Sequence, residues 1–171
     1  MHVDPQPFAG PYRSPADHFV IEVTAIEGEL DALQTRFKPA GVNRFAAVTG
    51  PEITFEPGDG RRMRMTLNSP DTAPQIFERF QPIKPTAEDL AQYAGEYRSE
   101  ALQATYKFAR EDGKLTLARN WQQPAVLQPS VRDEFQGPGH IGIVFRRDAA
   151  GRITQCEIFA GRVRNIVFAR K

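Results

Sequence analysis

The chain says nearly the same seven-residue phrase twice: FAGPYRS at 8–14 and YAGEYRS at 93–99. A repeat of this kind constrains the fold more than any other feature, because each copy must be read as one structural unit. At an offset of 85, Phe8 meets Tyr93, Ala9-Gly10 meets Ala94-Gly95, and Tyr12-Arg13-Ser14 meets Tyr97-Arg98-Ser99. Phe19, Ile21 and Val23 then meet Ala104, Tyr106 and Phe108, and Gly28 and Leu30 meet Gly113 and Leu115. The offset grows to 90 by Phe37/Leu127, Phe45/Phe135, Ile53/Ile143 and Phe55/Phe145. It reaches 91 by Gly60/Gly151, Met65/Cys156, Leu67/Ile158 and Phe77/Phe168. The larger change falls near LARNWQQPA (117–125), which predicts a longer loop in the second copy.

The matched apolar positions alternate. Phe19/Ile21/Val23, Ile53/Phe55, Met65/Leu67 and Ile141/Ile143/Phe145 each place apolar groups on one face with period two, the pattern of half-buried strands. Turn signals such as EDG, PGDG, GPG and DAAG separate them. Strand-sized runs at this spacing point to an antiparallel sandwich or barrel, and closing a meander removes its exposed edges. The expected architecture is therefore all-β: two tandem antiparallel barrels of about eight strands each. The first barrel is placed at 1–80, a linker with a short helix at 81–92, and the second barrel at 93–171. The helix signal is PTAEDLAQY (85–93), with Thr86 as N-cap and acidic residues in the first turn. One sheet running on across the linker is the alternative.

Charge and composition exclude several classes. The net charge of +1 gives no long-range attraction to nucleic acid or anionic membranes. The RRMRM stretch (61–65) lacks the interleaved aromatics of a sheet that reads nucleic acid. No apolar run approaches the length of a membrane-spanning helix, and no leader segment is visible at the N-terminus. The single cysteine, Cys156, excludes an internal disulfide and reads as a core thiol, since it aligns with Met65. His2, His18 and His140 show no ligand-like spacing, so no metal and no cofactor are expected.

The second half carries a resemblance. YAGEYRS, DGKLTL, a Leu-x-Pro followed by a lone Phe, FRRDAAGRI and the closing RVRNIVF occur there in order. Together they resemble the C-terminal lipocalin-like domain that follows the catalytic domain of bacterial β-lactamase-family serine hydrolases, relatives of the penicillin-binding proteins. The first half shares it more loosely, through its likeness to the second. The resemblance implies a non-catalytic β-barrel that shapes substrate access, domain orientation or assembly of a serine-hydrolase partner. It also implies a periplasmic or other extracytoplasmic setting.

The residues agree with a chain that holds no nucleophile. The serines lead SPAD, SEAL, SPDT and SVRD, none with Lys three positions on, and no G-x-S-x-G is present. No catalytic residues are expected in this chain. The competing reading is a free-standing barrel that binds a small apolar ligand. Under either reading, the candidate contacts for ligand or partner are Trp121, in the lengthened loop, and the repeated pairs Tyr12-Arg13 and Tyr97-Arg98. Trp121 equally suits a hydrophobic plug over a barrel end. Tyr-Arg-Ser equally suits a closure device, because a unique ligand site has little reason to be duplicated.

Overall fold

In the computed structural model, residues 3–58, 60, 62–119, 122–161 and 163–171 are described. The chain divides into two compact units. One holds the residues up to Ala16 together with Val20–Gln81, the other Asp17–Phe19 with Pro82–Lys171.

The first unit is a closed antiparallel barrel of eight strands: β1 (Gly10–Arg13), β2 (Val20–Ile26), β3 (Glu29–Ala32), β4 (Thr35–Gly41), β5 (Arg44–Ala46), β6 (Glu52–Pro57), β7 (Met63–Asn68) and β8 (Gln75–Arg79). Each strand pairs with its sequence neighbour, and β1 pairs with β8 through Tyr12↔Arg79 and Arg13↔Glu78 to close the ring. The alternation places Tyr12, Ile21, Val23, Leu30, Phe37, Phe45, Ile53, Phe55, Met65, Leu67 and Phe77 in the interior, all buried. A 3-10 turn over Gln6–Phe8 adds Phe8, whose ring packs on Phe45 and Phe55 at 5.3 and 4.7 Å.

The second unit repeats this plan. Its strands are β9 (Gly95–Ser99), β10 (Ala104–Glu111), β11 (Lys114–Arg119), β12 (Ala125–Val126), β13 (Gln128–Pro129), β14 (Glu134–Gly137), β15 (Ile141–Arg147), β16 (Ile153–Ala160) and β17 (Val163–Arg170). The nine run in one sheet, and β17 pairs back on β9 through Ala169↔Arg98 and Arg170↔Tyr97. β12 pairs with β11 and β13 with β14, so the two short pieces together do what β4 does alone. Leu127, between them, donates its N–H to the Leu115 carbonyl at 2.8 Å and is buried.

The pairing registers of the units match at the offsets read from the sequence. Tyr12↔Ile21 corresponds to Tyr97↔Tyr106, and Phe45↔Ile53 to Phe135↔Ile143. Phe55↔Met65 corresponds to Phe145↔Cys156, and Met65↔Phe77 to Cys156↔Phe168. The lengthened connection falls where expected. β3 ends at Ala32 and β4 starts at Thr35, whereas β11 ends at Arg119 and β12 starts at Ala125.

Two placements differ from the sequence reading. Phe19 does not enter the first core: β2 begins at Val20, so the strand's alternation does not reach it. Its ring stands edge-on to His140 at 4.9 Å and it groups with the second unit. The helix α1 (Ala87–Tyr93) carries Thr86 and Asp89 as a reciprocal capping box. It buries Leu90 and Tyr93 in the second core, so the segment expected as a linker is part of that barrel.

Candidate functional site

The repeated phrase is a closure clamp. Its tyrosine points inward and its hydroxyl donates to the carbonyl four residues back: Tyr12 to Phe8 at 2.9 Å, Tyr97 to Tyr93 at 3.0 Å. The last strand of each barrel supplies an arginine to the same segment. Arg79 donates to the carbonyls of Pro7 and Ala9, and Arg170 to those of Gln92 and Ala94. Gly10 and Gly95 lie under these guanidinium groups. A Cβ added there would sit 3.1 Å from Arg79 Nε and 3.2 Å from Arg170 Nε, at φ +136° and +147°. The glycine of the phrase thus answers both a backbone demand and a close approach. Ser14 and Ser99 accept from the backbone N–H groups of Ala16 and Leu102 and brace the following turns.

Burial pushes the Tyr12 and Tyr97 hydroxyls up to about 12, although the arginine nearby works against it. Both rings are fully buried, so they reach no ligand or partner in solvent, and the contact role considered for them gives way to a seal. Arg98, on the outer face, bonds to Glu100 and Gln103 at 2.7 and 2.9 Å. Arg13 is likewise on the outward side of its strand and half-buried. Each pair belongs to its own barrel. Trp121 lies outside the described residues. Arg79 and Arg170 were not singled out from the sequence, though their equivalence at offset 91 was there to be read.

Polar networks elsewhere in the second unit are internally satisfied. Asp133 receives the Tyr93 hydroxyl at 2.8 Å and a fork from Arg147, whose Nε and Nη2 lie 2.9 and 2.8 Å from its two oxygens. Burial raises the Asp133 carboxyl, but the Arg147 and Tyr93 hydrogen bonds outweigh it and hold the group below its ordinary value. His18 Nδ1 lies 3.0 Å from Glu134 Oε1, its ring packs on Phe159 at 4.6 Å, and its carbonyl accepts from Gln136. Gly142 makes room for this segment, since a Cβ there would come within 3.3 Å of the Asp17 carbonyl. Cys156 is fully buried, and burial pushes its thiol up, away from nucleophilic or metal-binding character. Among the described residues, no cluster of His, Cys, Asp or Glu is placed to hold a metal ion. Among the described residues, no helix is long and apolar enough to cross a membrane.

Three cavities lie among the described residues. An open polar groove of about 530 Å³ lies along Gln92, Asp148, Arg152, Arg170 and Lys171. Its cations are already engaged: Arg152 with Asp148, Arg170 with backbone carbonyls, Lys171 with Glu96. A shallow, largely apolar groove of about 570 Å³ runs over Leu102, Val163, Ile166 and Val167 on the flank of β17. Here Leu102 and Val163 are 51% exposed and Val167 44%. The third, about 250 Å³, opens at one mouth of the second barrel between Ile83, Pro85, Leu90, Leu115, Leu127 and Phe135, with Lys84 and Lys114 at its wall.

No protein-family model matches the chain, and no curated protein matches it. Among solved structures, the crystal structure of SurE with D-Leu aligns with a TM-score of 0.41 and 15% identity. The alignment covers 82% of this chain but only 38% of that one. A likeness at that level carries nothing about activity.

Proposed function

We propose that the chain is a non-catalytic accessory module of a β-lactamase-family serine hydrolase, its two lipocalin-like barrels shaping substrate access, domain orientation or assembly. The reading starts from the sequence resemblance of the second half. The observation that carries it furthest is the apolar groove on the flank of β17. Three large aliphatic side chains stand together there, about half exposed. Contiguous exposed apolar surface is what a protein-docking face requires. Filled interiors suit the same role. Phe145 alone packs against the rings of Tyr93, Tyr97, Phe108 and Phe135 at 4.7–5.9 Å, which leaves the second lumen to side chains.

The test has two arms. The chain alone is expected to turn over neither a chromogenic β-lactam nor an activated ester; turnover that vanishes on replacing one serine would overturn the reading. In a binding assay with a β-lactamase-family catalytic domain of the same genome, Val163→Asp with Val167→Asp is expected to abolish association. Association that is absent in the unaltered chain, or indifferent to those changes, counts against it.

The second reading, a barrel that binds a small apolar ligand, is favoured by the 250 Å³ cavity at the mouth of the second barrel. That volume lies just below the range of drug-sized pockets, so it suits a smaller ligand.

A further inference from the structure

We infer that the mouth cavity of the second barrel is a binding site for a short aliphatic carboxylate, its chain among Leu90, Leu115, Leu127 and Phe135 and its charge toward Lys84 and Lys114. This rests on the second reading above and adds the chemical class of the ligand. Comparison of the two barrels supplies the argument. In the first, Phe37 stands where the second has Leu127, at the equivalent place in the register. A ring has been replaced by a smaller branched chain, and Leu127 lines the cavity together with Phe135. Space is thus available where the first barrel has a ring.

The charges change together with the volume. In the first barrel Glu29 sits at the corresponding turn and faces Lys38 across 3.8 Å. The equivalent positions in the second are Lys114 and Gln128: the carboxylate has become a cation, and its partner a neutral amide. Lys84 and Lys114 are exposed, and among the described residues neither makes an ion pair or a side-chain hydrogen bond. An apolar slot walled by two unpaired ammonium groups is complementary to an amphiphile with one anionic end. A neutral ligand would leave both cations unused, and a dianion would have to bury its second charge among leucines.

The experiment is a titration of the intact chain with butanoate, hexanoate and octanoate, with octanol as neutral control, followed by NMR of the leucine methyl groups. Octanoate is expected to shift the methyls of Leu90, Leu115 and Leu127. Affinity should rise about fourfold per methylene until the cavity is filled. Lys84→Gln with Lys114→Gln should weaken octanoate by about fivefold or more while leaving octanol unchanged. Leu127→Phe, which installs the first barrel's residue, should remove binding of both. Its spectrum reports whether the fold survives, and the chain-length series and the lysine variant decide the matter if it does not. Octanol binding as tightly as octanoate, without regard to the lysines, overturns the carboxylate assignment and leaves an apolar-ligand site standing. Binding of neither overturns both, and octanoate binding that survives in folded Leu127→Phe places the ligand elsewhere.

Discussion

The two barrels share their closing machinery and differ at their ends. Tyr12, Gly10 and Arg79 in one are matched atom for atom in role by Tyr97, Gly95 and Arg170 in the other. The plug residue shows where they part. Phe8 closes the first barrel by ring packing alone. Tyr93 makes the same two ring contacts, with Phe135 and Phe145, and adds a hydroxyl held by Asp133 and thereby linked to Arg147. What was kept is what a ring of strands needs in order to close. What changed lies at the mouth and the plug, where closure does not dictate the residue.

The sharpest test of this likeness is in the cores. Phe145→Ala should cost about 3–5 kcal/mol, the loss seen when a buried ring leaves a cavity. Phe55→Ala, in the equivalent place, should cost a similar amount. Hydrogen exchange resolved by residue would show each loss in its own unit. A loss below ~1 kcal/mol at either ring would mean that its lumen is not packed as described.

A smaller effect is expected at the clamp. Gly95→Ala and Gly10→Ala place a side chain at strongly positive φ against a guanidinium, and each should lose about 1–3 kcal/mol. The comparison breaks if one tolerates alanine and the other does not. Thermal melts of the two variants would show it.

Asp133→Asn probes what the second barrel alone possesses. Asp133 lies at φ +64°, which asparagine also tolerates, so the change removes charge with little backbone strain. A cost of about 1–2 kcal/mol is expected, as for a partly solvated charge-assisted hydrogen bond. The sign with pH follows from the depressed carboxyl. Its stabilisation is present above the unfolded value of about 4 and is lost as pH falls through the lower folded value. Unfolding curves of the unaltered chain and the variant should therefore converge in acid. A constant gap between them would remove the ion pair from the account.

The smallest effect tests the phrase itself. Tyr97→Phe and Tyr12→Phe each delete one buried hydrogen bond and should lose about 1 kcal/mol. Equal losses in denaturant melts would show that the hydroxyl does the same work twice.

Period-two alternation and the repeated phrase were enough to determine a two-barrel, all-β chain, because strand faces and turn glycines are written locally. The inward positions Ile53, Phe55, Met65, Ile143, Phe145 and Phe168 were legible for the same reason. Phe19 was not, since alternation counts residues but does not say where a strand begins. Nor was the fate of the helix, whose amphipathic face is visible in PTAEDLAQY while the core that receives it is not. The mouth cavity was hidden for a deeper reason. Its wall is drawn from the segment before the helix, the turn after β10, the junction of β12 and β13, and β14. Residues so far apart in the chain meet only when the strands have assembled, and the charge reversal from Glu29 to Lys114 acquires meaning only once Lys114 stands at the cavity wall. Sequence alone determined two β-barrel units; tertiary structure decided where the cavity among Leu90, Leu115, Leu127 and Phe135 lies, because space and unpaired charge belong to assembled surfaces and not to any local pattern.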